Sequence, residues 1–241
     1  MKKTLSIVIA MAVAGMSSVV SADSHGDMGL EFSANVAMTS DYVFRGVSQN
    51  EGDLAIQGGF DVAHTSGIYA GVWASNVSND LYDSSSVETD VYAGWAGEVG
   101  PVGIDVGVLQ FIYPGQTSAG DPLDTTEWHI GVSGSVGPVG LGLTYYTSDD
   151  YFATGDAAYV DLGAEYAIGS VTLAAHYGWT DFDANAGFKD YEDWSIGAST
   201  EYGGFGFDLT YTDTDAEIGQ CFGVTDNDCD DIVAFTVSKS L

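Results

Sequence analysis

Residues 91–108, VYAGWAGEVGPVGIDVGV, carry the pattern that decides the fold. Every second residue is apolar on both sides of the Gly100-Pro101 pair, and polar residues such as Asp105 fall between them. Alternation with a period of two predicts a β-strand with one apolar face, and Gly and Pro together predict a tight turn. The stretch therefore predicts two antiparallel strands joined by a short hairpin turn.

The rest of the chain repeats this unit until about twelve alternating segments are counted. Short turns are predicted at 65–67, 99–101, 137–138, 168–170 and 202–204, and longer polar loops at 49–53, 79–86, 114–125, 148–156, 181–190 and 213–231. Strands of about ten residues with short turns at one end and long loops at the other are typical of membrane barrels. We therefore predict an all-β fold: an antiparallel up-and-down transmembrane β-barrel of about 12 strands.

A soluble β-sandwich or barrel is the alternative, because its strands alternate in the same way with the apolar face turned inward. Aromatic residues near the strand ends favour the membrane, since they fit a girdle at the lipid interface. They are Tyr145, Tyr166, Tyr177, Trp179, Tyr202 and Tyr211. The first strand is predicted to continue through Tyr42 and Phe44, with Phe32 and Phe44 facing outward. Segment 68–77 is apolar on both faces, so its facing is left open.

The amino terminus has the features of a signal peptide. Lys2 and Lys3 precede an apolar stretch at 5–20, and Val20-Ser21-Ala22 supplies small residues for cleavage. The alternative, a membrane helix, is disfavoured because the stretch is short and no stop-transfer pattern follows. We predict a signal peptide at 1–22, a barrel domain at 23–241, and export to the bacterial outer membrane.

The charge is strongly negative: 35 Asp and Glu stand against 5 Lys and Arg, a net charge of −30. Nucleic acid is therefore excluded as a partner, because it requires a basic surface. One interpretation of this charge is an acidic surface that keeps the protein soluble. The other is an electrostatic field in the lumen and loops that attracts cations and repels anions. The expected partners are outer-membrane lipid and small solutes or cations, and association as a homo-oligomer is compatible with this prediction.

Three segments near the amino terminus resemble one bacterial family. They are residues 35–49 (NVAMTSDYVFRGVSQ), 55–61 (AIQGGFD) and 67–77 (GIYAGVWASNV). These segments resemble the family known as Gcw_chp, whose members are often labelled TorF-family porins. The resemblance implies an exported outer-membrane barrel with a pore, and it brings no substrate and no functional residues. Outer-membrane barrels usually end in an aromatic residue, and this sequence has Leu241 at that position.

Charged residues on the predicted inner face are the candidate site. Arg45 is the sole arginine and is expected to point inward and to pair with carboxylates across the barrel, with Asp41 on the same face. It acts as a clamp on the barrel wall or as a lumen charge that shapes selectivity, and the two roles are compatible. The inward carboxylates, which favour cations in a pore, are Glu31, Asp61, Asp90, Glu98, Asp105, Glu127, Asp161, Glu165, Glu201 and Asp208.

Twelve strands lie between small filled barrels and wide porins, so a pore would be narrow. We predict a passive diffusion channel for small solutes with a cation preference. The alternative is a closed structural or adhesin-like barrel whose acidic outer loops bind a partner. Tyr92, Tyr146 and Tyr159 bear on this choice, because inward-pointing tyrosines would fill the bore.

Other chemistry finds little support, and no catalytic residue, cofactor or metal site is predicted. His64-Thr65-Ser66 has the His-x-Ser spacing of a lipid hydrolase, but it falls on a short turn without an evident third residue to orient the histidine. His129 and His176 are predicted to face the lumen as hydrogen-bonding residues.

The last predicted loop holds both cysteines. Cys221 and Cys229 predict one local disulfide in an exported protein. The alternating aspartates at 226, 228 and 230 resemble part of a calcium loop, but the glycine and closing glutamate of that motif are missing. A solvated acidic loop is the default interpretation, with weak divalent-cation bridging as the alternative.

Overall fold

A computed structural model describes residues 29–117, 123–183, 188–216 and 229–241, and all regular structure in these ranges is β. The strands are β1 (Leu30–Thr39), β2 (Val43–Phe44), β3 (Val47–Ser48), β4 (Ala55–His64), β5 (Ile68–Asn76), β6 (Val87–Val99), β7 (Val102–Ile112), β8 (Thr125–Val136), β9 (Val139–Ser148), β10 (Ala157–Ile168), β11 (Val171–Phe182), β12 (Tyr191–Tyr202), β13 (Phe205–Thr214) and β14 (Ile232–Ser240).

Twelve of these strands form a closed barrel. Each of β4 to β14 pairs antiparallel with its neighbour in sequence, and β1 joins β4 on one side and β14 on the other. The β1–β14 pairing, called the seam below, joins residues 35–39 to residues 236–240, whereas β1 pairs with β4 along all of 30–39. The predicted fold class is confirmed. Within the described ranges, no helix has the length and apolar character needed to cross a membrane.

The outer surface of the barrel is apolar. Phe60, Ile130 and Leu209 are more than half exposed, while residues on the other face of the strands, such as Asp90 and Glu127, are buried inside. Four of the predicted girdle aromatics are exposed on the outside: Tyr145, Tyr166, Trp179 and Tyr202. This inside-out distribution is that of a lipid-facing barrel and not of a soluble one. Burial of Trp73 in the lumen and exposure of Ile68 also assign the facing of β5, which sequence left open.

The short turns are confirmed between β4 and β5, β6 and β7, β8 and β9, β10 and β11, and β12 and β13. These turns lie at one end of the barrel, named here the turn end. The longer connections lie at the opposite end, named the loop end. Glycines with positive φ, such as Gly100 and Gly137, occupy these turns, where other residues would be strained.

The predicted course of the first strand is wrong beyond Thr39. The chain leaves the wall there and forms a small hairpin from β2 and β3, which turns at Arg45 and Gly46 with φ of 48° and 81°. Residues 44–50 are all buried, so Phe44 lies in the lumen and not on the outside. The physical reason is length, because a strand from Leu30 to Phe44 would be longer than β6, which has 13 residues and is the longest of the described strands. We call residues 42–49 the inward hairpin.

Several predictions fall on residues outside the described ranges. The signal peptide at 1–22 is one of them. Cys221 is another, so its pairing with Cys229 stays a prediction. Asp226 and Asp228 of the last acidic loop also lie outside these ranges.

Candidate functional site: the lumen at the loop end

The inward hairpin spans the bore from one wall to the other. Near its base, the Tyr42 ring lies edge-on to Trp73 of β5, with 5.4 Å between ring centroids. Phe44 packs against Phe111 of β7 at 5.7 Å. At its tip, a Cβ placed on Gly46 would lie 2.7 Å from the Asp193 Cβ of β12. The hairpin therefore crosses the lumen, and only glycine fits at position 46.

Arg45 makes the strongest contact between the hairpin and the wall. Its Nη1 and Nη2 donate to the two carboxylate oxygens of Glu127 in β8, at 2.8 and 2.9 Å, and Nη1 also donates to the Tyr151 hydroxyl at 3.2 Å. Both partners of the ion pair are almost fully buried. A two-point Arg–carboxylate pair of this kind fixes orientation as well as adding energy.

Aromatic rings surround the same guanidinium. Its Cζ lies 4.1 Å from the centroid of the Tyr159 ring, and the rings of Phe44, Tyr146 and Tyr151 lie within 5.4 Å. Burial alone would lower the pKa of Arg45, but the adjacent Glu127 carboxylate offsets this and holds the pKa above its ordinary value. The hairpin therefore carries a permanent positive charge into the bore, against the Glu127 carboxylate of the wall.

Glu88 of β6 anchors the base of the hairpin. Tyr42 donates its hydroxyl to one oxygen of Glu88 at 2.6 Å, and Tyr113 of the β7–β8 loop donates to the other. Tyr82 donates to Gln49 of the hairpin. Burial, aided by the Glu88 charge, raises the pKa of the loop tyrosines Tyr42, Tyr82 and Tyr113 well above the ordinary value. These hydroxyls stay protonated and keep their donor role.

Two histidine–carboxylate groups lie on the strands of the wall. His129 Nε2 is 2.6 Å from Asp105, which also accepts from Tyr69. His176 bridges Asp161 and Asp193, with 2.6 Å from each ring nitrogen to a carboxylate oxygen. The carboxylates that sequence placed on the inner face are thus largely held in hydrogen-bonded clusters.

Asp90 is different from these carboxylates. It is 1% exposed, and neither carboxyl oxygen has a hydrogen-bond partner among the described residues. Its cross-strand neighbours are Trp73 and Phe111, which are themselves fully buried. A buried carboxyl without a donor is costly, so Asp90 is a destabilising feature of this end of the lumen.

The lumen is more open toward the turn end. Gly142 and Gly163 are partners in register on the inner face, and a Cβ on either would meet nothing within 4 Å. Glu165 and Glu201 lie exposed near this end, while Asp61 accepts from Tyr92 and Asp208 from Thr210. The barrel therefore has a filled loop-end half and a less densely filled, acidic turn-end half.

The remaining predicted residues lie outside the contacts of Arg45. Asp41 is half-buried at the rim of the loop end and accepts from Ser48 Oγ at 2.7 Å. Glu31 is half-buried near the turn end of β1, and Glu98 is exposed there on β6. His64 Nδ1 does lie 2.7 Å from Ser66 Oγ, on the exposed β4–β5 turn.

Sequence reasoning missed Glu88 and Asp193 as site residues. Glu88 is two residues from Asp90 on the inner face of β6, and Asp193 contacts His176 from the inner face of β12. The alternation of faces along these two strands could therefore have identified both residues. It also missed the aromatic partners of Arg45, although Tyr92, Tyr146 and Tyr159 were recognised as side chains that would fill the bore. All three are buried in the lumen.

A closed antiparallel barrel with an apolar outside and a charged inner face defines the transmembrane β-barrel class of fold. The sequence profile described as "Bacterial protein of unknown function (Gcw_chp)" matches residues 23–241. The chain belongs to this family.

Solved structures with a similar fold are porins and channels. The KdgM porin in complex with disordered oligogalacturonate is 6% identical, with a TM-score of 0.53 over 87% of this chain and 96% of that chain. An outer membrane channel from Pseudomonas putida F1 is 11% identical, with a TM-score of 0.49 over 91% and 99%. OccK5 from Pseudomonas aeruginosa is 17% identical, with a TM-score of 0.46 over 88% and 67%. No curated protein matches the chain.

Proposed function

We propose that this protein is an outer-membrane porin-like channel through which small solutes diffuse passively, with a preference for cations. The observation that carries the proposal is the inner face of the wall, where Asp61, Asp105, Asp161 and Glu165 stand inside a closed, apolar-sided barrel. Carboxylates that line a pore raise the local concentration of cations and repel anions.

The proposal includes the route and orientation of the protein. The segment at 1–22 directs export and is removed, and residues 23–241 form the barrel. The loop end faces outward, as long loops do in outer-membrane barrels. Anionic sugars, such as the oligogalacturonate in the KdgM porin complex, are poor solutes for an acidic lumen, and no catalytic step is part of this function.

The inward hairpin sets the width of the channel in this proposal. It occupies the loop-end half, so solutes pass only through what it leaves free or when it moves. The buried hairpin equally supports the second candidate, a closed barrel whose acidic outer loops bind a partner. The two differ in one measurable property, which is conduction.

Single-channel recording of the refolded protein in a planar bilayer tests the proposal, with the reversal potential measured under a salt gradient. The expected result is small discrete steps whose reversal potential shows a cation preference. A folded barrel that never conducts, either as it stands or after loosening of the hairpin, would favour the closed barrel. Conduction with an anion preference would contradict the charge argument.

A further inference from the structure

The partners of Arg45 on the other elements form a complete binding site for a cation. Glu127 supplies both carboxylate oxygens, Tyr159 supplies a ring face at 4.1 Å, and Tyr146 and Tyr151 close the sides at 5.2 and 5.4 Å. We call Glu127, Tyr146, Tyr151 and Tyr159 the cation cage. A carboxylate together with aromatic faces is the chemistry that recognises guanidinium and ammonium groups.

Arg45 is not part of the barrel wall but arrives on the tip of the inward hairpin. It reaches the cage through Gly46, whose positive φ and tight fit against Asp193 and Thr214 fix the turn. The guanidinium therefore stands in the cage as a tethered ligand would. A free cation of the same shape would make the same contacts with Glu127 and Tyr159.

We propose that the cation cage is a solute-binding site for guanidinium-bearing compounds, and that Arg45 occupies it as an internal substitute while the hairpin is closed. A solute that binds the cage displaces Arg45 and releases the hairpin tip from the wall. The site itself stands on its geometry, whereas its role in solute selection rests on the proposed channel function. Selection for planar guanidinium over spherical cations follows from the two-point contact with Glu127.

Removal of the internal ligand tests the site directly. Binding of methylguanidinium to the refolded barrel in detergent is measured by calorimetry for wild type, Arg45→Ala and Arg45→Ala/Glu127→Gln. We expect Arg45→Ala to bind about tenfold more tightly than wild type, in which Arg45 already occupies the cage. We expect the same difference from Arg45→Ala/Glu127→Gln, which lacks the charge-assisted two-point contact worth about that factor. Methylurea, which has a similar shape and no charge, is expected not to bind.

The matched control is Arg45→Ala/Asp80→Asn, which makes the same acid-to-amide change in an exposed loop residue. It is expected to bind methylguanidinium as Arg45→Ala does. Equal affinity of Arg45→Ala and Arg45→Ala/Glu127→Gln would overturn the proposal. If Arg45→Ala folds poorly, methylguanidinium and not methylurea is expected to restore the heat-modifiable folded band, and failure of this rescue counts against the cage.

Conductance separates this inference from the proposed function. Tight methylguanidinium binding by a barrel that never conducts keeps the cage and rejects the channel. A conducting barrel in which Arg45→Ala binds no guanidinium keeps the channel and rejects the cage.

Discussion

At the scale of single residues, Glu127 and Asp90 are two buried acids of the same lumen with opposite surroundings. Glu127 accepts two hydrogen bonds from Arg45, whereas Asp90 accepts none from the described residues. The same acid-to-amide change should therefore have opposite effects at the two positions.

Glu127→Gln leaves the buried Arg45 charge without its counter-ion. We expect the barrel to lose about 3 kcal/mol of unfolding free energy, the usual loss when one partner of a buried ion pair is removed. Urea unfolding of the barrel in lipid vesicles measures this change. Glu98→Gln, at an exposed position, is the control and should change stability by less than about 0.5 kcal/mol. An equal loss in both variants would show that the ion pair contributes nothing specific.

Asp90→Asn removes a buried acid that has no donor among the described residues. We expect this variant to be as stable as wild type or more stable by about 1 kcal/mol, because no native hydrogen bond is broken and a burial cost is removed. The same urea titration measures it. A loss as large as that of Glu127→Gln would indicate that the Asp90 carboxyl is stabilised by a partner outside the described residues.

At the scale of elements, the inward hairpin depends on its tip. Gly46 has a φ of +81°, and a Cβ added to it would lie only 2.7 Å from the Asp193 Cβ. We expect Gly46→Ala to cost about 1–3 kcal/mol in hairpin seating and to raise single-channel conductance, since both backbone strain and overlap oppose the closed position. Gly142→Ala, on the open inner face, is the matched control and should leave conductance unchanged. No change in either variant would mean that the hairpin does not limit flow.

The barrel strands were predictable from sequence, and the hairpin was not. Strands such as β6 and β7 are recognisable because each faces lipid on one side and the lumen on the other, which enforces the period of two. Tyr42 and Phe44 continue the even-numbered apolar face that includes Phe32, so the period of two extended the predicted first strand too far. The available signals were strand length and the Arg45-Gly46 pair, a two-residue turn between apolar residues. Partners such as Tyr159 depend on distant contacts that no local pattern encodes.

At the scale of the whole molecule, the loop tyrosines link the filled lumen to pH. The pKa values of Tyr42, Tyr82 and Tyr113 are raised in the folded barrel by burial and by Glu88. Their ordinary pKa is about 10. Above that pH the unfolded chain loses protons that the folded barrel retains, so the stability contributed by these groups is complete below about pH 10 and falls as pH rises further.

We therefore expect the loop-end half to loosen above about pH 10. Tyrosinate absorbance should rise over the same pH range as conductance, because the buried tyrosines ionise only when the loop-end half loosens. Tyr42→Phe should shift the conductance change to lower pH, because the hairpin base has already lost its bond to Glu88. Free titration of all tyrosines near the ordinary pKa of about 10 with unchanged conductance would contradict the link.

The acidic lumen also predicts a dependence on salt. Cation preference should be strong near 0.1 M salt, where the screening length is about 10 Å, and weak near 1 M, where it is about 3 Å. Reversal potentials at fixed concentration ratio and rising total salt measure this change. A preference that does not vary with salt would point to selection by contact at a narrow site and not by the field of the lumen.

The short seam has a consequence for the order of assembly. β1 pairs in register with β14 over residues 35–39, backbone hydrogen bonds at Ala34 and Ser40 extend this pairing at its two ends, and the inward hairpin begins shortly beyond. Strands that are neighbours in sequence can pair early, whereas closure of the barrel requires β1 and β14, which are far apart in sequence, to pair with each other. We therefore expect the inward hairpin to enter the lumen before β1 pairs with β14, so that the barrel closes around a hairpin that is already in place. Deuterium uptake during assembly should accordingly fall last at the amides of the seam, after those of the hairpin have become protected.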